Sequence, residues 1–345
     1  MFEQPANKTE LSELGEFGLI RHLTSGIILK NKESKVGVGD DAAVLNFENK
    51  DVLVSTDMLL EGVHFDLTYT PLKHLGYKAV VVNLSDICAM NGVPKQVTVG
   101  IACSNRFPVE ALEQLYEGMM LACSNYGVDL VGGDTTSSKA GLIISISVTG
   151  SCEPGQAALR SSAKKGDLIV VSGDLGGAYM GLQLLEREKA VFLDSPGAQP
   201  DLEGFDYILE RQLKPEARLD VIDFLRENDI RPGAMIDISD GLSSELLHIS
   251  KASGLGCKLY EDKIPIDQST YDLAREFGLD PTVCALSGGE DYELLFTVSQ
   301  NDYDKLKNSV LLTIIGHMTD ESEGCVMIDK SGGVHDLKAQ GWKSF

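Results

Sequence analysis

Five apolar stretches of this chain end in aspartate, beside glycine, serine or threonine. The five segments are Gly39-Asp40-Asp41, Ser55-Thr56-Asp57, Asn83-Leu84-Ser85-Asp86, Gly132-Gly133-Asp134 and Asp237-Ile238-Ser239-Asp240-Gly241. A carboxylate beside an apolar core costs free energy unless a positive group binds it. The pattern therefore indicates strand ends that face a polar site, and it favours hard cations that hold a polyphosphate.

Composition limits the classes of partner. The 345 residues carry a net charge of −22 and are 43% hydrophobic, which is typical of a soluble globular protein of about two domains. The longest basic run is Lys164-Lys165, so neither nucleic acid nor an anionic membrane is expected as a partner. An acidic protein that handles phosphate needs metal ions to reverse the local sign of the charge.

Cysteine usage and the N-terminal residues indicate a cytoplasmic protein. The seven cysteines form no Cys-x-x-Cys pair, so free buried thiols are expected rather than disulfides or a zinc site. The segment from Met1 to Glu10 is polar and lacks the apolar core of a signal peptide. No apolar run approaches the roughly 20 residues that a membrane span needs.

Helix and strand patterns alternate along both halves of the chain, which predicts a two-domain α/β (α+β) fold. The turn Glu153-Pro154-Gly155 interrupts the pattern, so we expect an N-terminal domain at 1–152 and a C-terminal α/β domain at 153–345. The predicted helices are 11–28, 72–90, 109–126, 176–188, 205–213, 215–228 and 241–253. The predicted strands are 52–55, 96–103, 142–149, 168–172, 234–238, 257–260, 292–298, 312–317 and 325–328.

Asp86 lies at the centre of an apolar helix face. Leu75, Ala79, Val82 and Asp86 fall on one stripe of the predicted helix 72–90. An unpaired charge on such a face costs several kcal/mol. A metal-facing role is therefore favoured over a structural salt bridge or a helix-to-loop hydrogen bond.

The other acidic segments could bind a metal ion or phosphate, but they could also be ordinary turns or helix caps. The triplet Ser55-Thr56-Asp57 offers oxygen ligands that suit Mg²⁺, yet the same residue types form turns and helix caps. The glycines before Asp41 and Asp134 let a ligand approach the backbone, although neither site has P-loop spacing. The segment 237–241 presents three acceptors ahead of a predicted helix, where a cap needs one.

Three more residues accompany these turns. Glu290 follows Gly288-Gly289 and is placed to meet a cationic ligand. His64 comes soon after Asp57, and its chemistry cannot be assigned from spacing. Arg160 is one of the few positive charges near the domain junction. It is either an ordinary surface residue or a contact to phosphate.

Taken in order, these motifs resemble the thiamine-monophosphate kinase family, in the superfamily of aminoimidazole ribonucleotide synthetase and selenophosphate synthetase. The most specific matches are Ser55-Thr56-Asp57 with His64-Phe65, Asn83-Leu84-Ser85-Asp86, Gly132 to Thr136, Asp237 to Gly241 and Leu286 to Leu294. The resemblance implies a homodimer whose N-terminal domains form a β-barrel across the interface. It also implies ATP-dependent phosphorylation of thiamine monophosphate to thiamine diphosphate.

The resemblance further implies roles for individual residues. Magnesium ligands are implied at Asp41, Ser55, Thr56, Asp57, Asp86, Asp134, Asp237 and Asp240. Nucleotide contacts are implied at Tyr126, Gly133, Asp134, Arg160 and Ser239. Contacts to the thiamine compound are implied at His64, Glu290 and Trp342.

The acceptor itself explains why no acid–base pair is expected. A phosphate monoester has a second pKa of about 6, so its oxygen is mostly ionised at neutral pH. Direct in-line transfer from ATP, assisted by several Mg²⁺ ions, is therefore the expected mechanism. Two alternatives stay open: another ATP-using member of the superfamily with a different acceptor, and a non-enzymatic divalent-cation binder.

Overall fold

The computed structural model describes residues 19, 22–36, 44–195 and 199–339. Two compact units are present, one from residues up to Ile87 and from Val93–Gly155, the other from Cys88–Gly92 and from Gln156 onwards. A mixed α/β fold in two parts is thereby confirmed. The helix predicted over 11–28 falls mostly outside the described residues. In the described ranges, no helix is long and apolar enough to cross a bilayer.

The first unit contains a four-stranded sheet and two long helices. Its strands are β1 (Ser34–Val36), β2 (Val44–Leu45), β3 (Asp51–Leu60), β4 (Val93–Cys103), β5 (Asp129–Ser137) and β6 (Ile143–Cys152), and its helices are α1 (Leu72–Ala89) and α2 (Val109–Tyr126). The sheet order is β3-β6-β4-β5, with β4 and β5 parallel and the other pairs antiparallel. Helix α2 joins the two parallel strands, because parallel neighbours need a crossover connection.

Helix α1 covers one face of this sheet. Ile144, Ile146 and Val148 alternate along β6 and are fully buried, as the two-residue period of a strand requires. A Cβ on Gly150, the next residue in this series, would lie 2.4 Å from Cγ2 of Ile87. The sheet and the helix that carries Asp86 are therefore in close contact.

The opposite face of the sheet is open and partly apolar. On β3, Val52, Val54 and Met58 are 48%, 69% and 54% exposed. They alternate with the residues that face α1. We call Val52, Val54 and Met58 the open apolar face.

The two long helices touch through glycines. A Cβ on Gly76 of α1 would lie 1.9 Å from the carbonyl oxygen of Leu115 on α2. A Cβ on Gly118 of α2 would lie 1.9 Å from the carbonyl oxygen of Lys73 on α1. Backbone therefore meets backbone at the crossing, and any larger residue would separate the helices.

The second unit contains a larger, mostly antiparallel sheet. Its strands are β7 (Leu168–Ser172), β8 (Met235–Asp237), β9 (Leu255–Tyr260), β10 (Leu294–Val298), β11 (Leu312–Asp320), β12 (Cys325–Ile328) and β13 (Val334–Asp336). Its helices are α3 (Gly177–Asp194), α4 (Asp206–Leu213), α5 (Leu219–Glu227), α6 (Leu242–Ser253), α7 (Gln268–Glu276), α8 (Pro281–Ser287) and α9 (Tyr303–Leu306). The strand order is β13-β12-β9-β11-β7-β10-β8, and only β9 and β12 pair in parallel.

Two apolar clusters hold this unit together. The first joins the sheet to α6, and Ile169, Ile236 and Leu246 belong to it. The second lies among α3, α4, α7 and α8 and includes Met180 and Ile208. These clusters fix the end of β8 and the adjoining start of β10 near the starts of α3 and α6.

Candidate functional site

The structure gathers several predicted site residues into two groups, one in each unit. The first group contains Ser55 and Asp57 on β3 and Asp86 on α1. The second contains Asp237 at the end of β8, Ser239 and Asp240 just after it, and Glu290 ahead of β10.

In the first group, hydrogen bonds connect β3 to α1. Oγ of Ser55 donates to Oδ2 of Asp86 at 2.5 Å. The backbone N–H of Asp57 donates to Oδ1 of Asn83 at 3.0 Å. Asn83 and Asp86 are three residues apart and therefore share a helix face. Asn83 was present in the sequence motif, but only the structure shows that its side chain holds the backbone of Asp57.

Asp57 lies where negative charge is poorly compensated. Burial, and then repulsion from Asp86, raise the pKa of Asp57 to about 6. A cation between the two carboxylates would relieve both effects, and the Ser55 hydroxyl supplies a further oxygen. This donor set suits Mg²⁺, which proteins bind through one or two carboxylates together with water and substrate phosphates.

No fuller protein cage for a metal is present in the part of the chain that the structure describes. In those residues, no three His, Cys, Asp or Glu side chains lie close enough to enclose an ion. Ligands from a phosphate and from water would complete the coordination around Asp57 and Asp86, as is usual for Mg²⁺.

The side chain of Thr56 is on the opposite face of the sheet from Asp57. Its Oγ1 donates to the carbonyl of Ile146 and accepts from Oγ of Ser147, both at 3.0 Å. The structure therefore does not bring this hydroxyl to the carboxylates of Asp57 and Asp86.

Gly133 and Asp134 lie on β5, at the other edge of the sheet from β3. Register places Asp57, Ile146, Val99 and Gly133 in one row across the four strands. Three strand spacings correspond to about 14 Å. A Cβ on Gly133 would lie 2.1 Å from the carbonyl oxygen of Val99, so only glycine fits there. Within one copy, Asp134 is thus remote from Asp57.

The second group is built by two loops joined through their backbones. The N–H of Glu290 donates to the carbonyl of Ser239 at 2.7 Å, and the N–H of Tyr292 donates to that of Ile238 at 2.9 Å. Glu290 and Tyr292 adopt φ values of 58° and 52°, a left-handed conformation that non-glycine residues hold only when their surroundings fix it.

Gly289 allows this close approach. Its φ is +74°, and a Cβ there would lie 2.5 Å from the carbonyl oxygen of Ser239. Asp237 is buried, while Ser239 and Asp240 are half-buried and precede α6. The first N–H groups of a helix have no partner within the helix, so this end of α6 suits an anionic ligand.

Glu245 is a member of the second group that sequence reasoning missed. Its Oε1 accepts from the N–H of Asp240 at 2.8 Å and from Oγ of Ser239 at 3.4 Å. Burial above all, with repulsion from Asp240 and Asp237, raises the pKa of Glu245 to about 7. The sequence signal that could have identified Glu245 is an acidic residue one turn after the start of a helix, on the side of the helix that faces the core.

The remaining predicted residues are dispersed. His64 is exposed, and its Nδ1 accepts from the N–H of Leu60 at 3.1 Å. Tyr126 is the last residue of α2 and is half-buried. Arg160 is exposed, and its carbonyl accepts from Oγ of Ser253 at 2.9 Å. Asp41 and Trp342 lie outside the described residues.

The regions that match known proteins cover almost the whole chain. The family model of the AIR synthase related protein, N-terminal domain, matches residues 39–152, and that of the C-terminal domain matches residues 164–329. The thiamine-monophosphate kinase of Bacillus subtilis (strain 168) is 34% identical over 338 residues, which cover 96% of this chain and 100% of that protein.

Solved structures show the same relationship. The structure described as "AaThiL complexed with AMPPCP and TMP" is 32% identical, with a TM-score of 0.74 and full coverage of both chains. The thiamine-monophosphate kinase of Stenotrophomonas maltophilia K279a is 31% identical, with a TM-score of 0.76, over 92% of this chain and 95% of that one. These matches confirm the resemblance that the motifs indicated: the chain belongs to the thiamine-monophosphate kinase family of AIR synthase related proteins.

Proposed function

We propose that this chain transfers the γ-phosphate of ATP to thiamine monophosphate and so forms thiamine diphosphate. The names of its relatives give the substrate, and the related structure with AMPPCP and TMP holds a nucleotide analogue together with TMP. The observation in this chain that carries the proposal is the pairing of Asp57 with Asp86, in which the pKa of Asp57 rises to about 6 through burial and then through Asp86. Such a pair is built to receive positive charge.

The chemical difficulty is repulsion between two anions. Two unit charges about 4 Å apart repel by roughly 4 kcal/mol at an effective dielectric constant near 20. Several Mg²⁺ ions would offset this repulsion and align the acceptor with the γ-phosphate. Because the acceptor phosphate is already ionised, the protein needs to position the reactants rather than remove a proton.

The residues divide among these tasks. Ser55, Asp57 and Asp86 hold a cation in the first unit, and Asp237 and Asp240 do so in the second. Ser239, at the start of α6, contacts the nucleotide, and Glu290 contacts the thiamine compound. The roles expected from the sequence are retained for the other residues, which are Asp41, His64, Tyr126, Gly133, Asp134, Arg160 and Trp342. Thr56 is not among them, because its hydroxyl lies on the opposite face of the sheet from Asp57.

The decisive experiment offers the protein Mg-ATP with thiamine monophosphate and, separately, with free thiamine. We expect thiamine diphosphate from the monophosphate and no phosphorylation of thiamine, because free thiamine lacks the ionised acceptor. Conversion of neither compound, with turnover of a different phosphate acceptor, would assign the chain to another reaction. Direct transfer also predicts that rapid quenching with labelled ATP traps no phosphorylated residue.

We also propose that the chain acts as a homodimer whose N-terminal sheets close into a barrel. Support comes from the open apolar face, where three large side chains are about half exposed or more. Large contiguous apolar surfaces on soluble proteins commonly mark interaction sites. A second copy of the same sheet would cover this face symmetrically.

A further inference from the structure

Helix α4 presents two adjacent side chains to the segment 290–293. Nε2 of Gln212 donates to Oε2 of Glu290 at 2.9 Å. Nη1 of Arg211 donates to Oε1 of Glu293 at 3.0 Å. Glu290 is the residue assigned above to the thiamine compound, so the contact with Gln212 concerns the part of the site that recognises substrate.

Gln212 is held in place by its packing against α3. The residue is only 6% exposed. A Cβ on Gly181 of α3 would lie 2.5 Å from the carbonyl oxygen of Ile208 and 2.6 Å from Cβ of Gln212. Helices α3 and α4 are therefore in backbone contact at this point, which leaves the Gln212 side chain little freedom to leave Glu290.

Arg211 fixes the rest of the segment. Besides Glu293, it donates through Nη2 to the carbonyl of Asp174 at 2.9 Å. Asp291 in turn accepts from the N–H groups of Gly176 and Ala178 at the start of α3, at 2.8 and 3.3 Å. The segment that follows Glu290 is thus anchored, and Gln212 sets the direction of the Glu290 carboxylate itself.

A second arginine completes the anchor. Arg218 binds the same carboxylate of Glu293 through Nη1, and it pairs with both oxygens of Asp220 at 3.0 and 2.9 Å. Arginine side chains therefore bind Glu293, whose role is structural, whereas the neutral amide of Gln212 binds Glu290. An amide donor orients a carboxylate without cancelling its charge, which suits a carboxylate that must attract a cationic ring.

We infer that Gln212 is a positioning residue, which orients the Glu290 carboxylate toward the thiamine part of the substrate. This inference rests on the proposed function. The amide acts on substrate only through Glu290, so its effect on the binding of the thiamine compound must depend on the Glu290 carboxylate. The nucleotide is bound by other residues and should not be affected.

The test is a double-mutant cycle of Gln212→Met and Glu290→Gln, with KM measured separately for thiamine monophosphate and for ATP. Methionine keeps the length of the side chain and removes the donor. We expect Gln212→Met to raise the KM for thiamine monophosphate about tenfold, a factor equivalent to about 1.4 kcal/mol, with the KM for ATP unchanged. In the Glu290→Gln background, the same substitution should have no further effect, because the carboxylate it orients is absent.

Gln300→Met is the matched control, because Nε2 of Gln300 donates to the carbonyl of Gly166 at 2.7 Å in the same unit. Gln300 follows the end of β10, whereas Glu290 precedes the start of that strand. This variant should leave both KM values unchanged. Equal rises of both KM values in Gln212→Met, or a rise that persists in the Glu290→Gln background, would overturn the inference. Wild-type protein that fails to convert thiamine monophosphate would overturn the proposed function instead, so the two failures are distinguishable.

Discussion

The backbone N–H of Glu290 donates to the carbonyl of Ser239 at 2.7 Å. This bond joins the loop assigned to the nucleotide to the loop assigned to the thiamine compound. Neither loop can shift without the other, because Tyr292 is bonded to Ile238 in the same way. The relative position of two ligand-binding elements is therefore fixed by main chain, which preorganises a site for transfer between two ligands.

Gly289→Ala should disrupt this junction. The added Cβ would lie 2.5 Å from the carbonyl oxygen of Ser239, at a φ of +74°. We expect a loss of about 2–3 kcal/mol in the free energy of unfolding, from conformational strain and the clash together. We also expect at least about a tenfold fall in kcat, because a displacement of about 1 Å can cost two orders of magnitude. Chemical denaturation and steady-state kinetics measure the two effects.

Gly254→Ala provides the comparison for that variant. Gly254 has a φ of +66° at the end of α6, but a Cβ there would have no atom within 4 Å. The cost should be about 1 kcal/mol of strain, with kcat unchanged. An equal loss of kcat in both alanine variants would argue against a role of the junction in catalysis.

Asp57→Asn should stabilise the protein in the absence of ligands and metal. The pKa of Asp57 is raised from 3.8 to about 6, by burial and then by Asp86. The folded state therefore holds this proton more tightly than the unfolded chain, so stability falls as pH rises through that interval. The asparagine variant should lose this pH dependence and gain up to about 2 kcal/mol at pH 7, after allowance for partial solvation. Urea titrations at several pH values test the sign, while activity should be abolished.

Metal dependence should appear as ligand-linked stability. A ligand that binds only the folded state raises its stability according to concentration and affinity. Mg²⁺ with a non-hydrolysable ATP analogue should raise the melting temperature of wild-type protein, and a chelator should remove the gain. Asp86→Asn should lose most of the gain, whereas Asp304→Asn, an exposed aspartate that pairs with Lys307, should keep it. A full gain in Asp86→Asn would exclude Asp86 from the cation site.

The motifs could be predicted because they depend on local chemistry, whereas their grouping depends on strand order. Asp57 and Asp86 were expected near a metal, and they lie together because β3 packs on α1. The predicted strand ends at residue 55, whereas β3 continues to Leu60, so the sequence could not show that Thr56 and Asp57 project to opposite faces of the sheet. Gly133 was taken for part of a glycine turn, yet it lies within β5, where backbone contact with Val99 excludes a side chain.

The second unit shows what periodicity leaves open. Alternating helix and strand patterns predicted an α/β-type domain, but they did not give the strand order or direction, and most of its strand pairs are antiparallel. Strand order results from long-range packing, which a local pattern does not encode. Gln212 and Glu245 were not identified for a related reason, since neither lies in a recognisable motif. Gln212 contacts a loop that is distant in sequence, and Glu245 accepts from a backbone N–H.

Val54→Asp should weaken self-association. Val54 is 69% exposed at the centre of the open apolar face, and burial of an unpaired carboxylate against a second copy would be costly. Light scattering after gel filtration should show a shift from dimer to monomer. Val310→Asp is the control, because Val310 is 98% exposed and lies in the other unit. A dimer that is unchanged in Val54→Asp would place the interface elsewhere.

Cys325 should be the most reactive of the described thiols. It lies opposite Cys257 on the parallel strands β12 and β9, and a hydrogen bond from the Cys257 thiol lowers the pKa of Cys325. A lower pKa means more thiolate at pH 7 and faster alkylation. Mass spectrometry after brief iodoacetamide treatment should find Cys325 labelled before Cys284, whose pKa burial raises to about 11. Cys257→Ala should slow the labelling of Cys325.

The crossing of α1 and α2 at Gly76 and Gly118 has a consequence for how this enzyme tolerates change. Asp86 lies ten residues beyond Gly76, about 15 Å along the same helix, so a displacement at the crossing is transmitted along α1 toward Asp86. A methyl group at either glycine would push α1 away from α2 and tilt it, which would move the Asp86 carboxylate away from Ser55. Random mutagenesis should therefore recover Gly76 and Gly118, which have no side chain to take part in chemistry, among the positions that eliminate turnover.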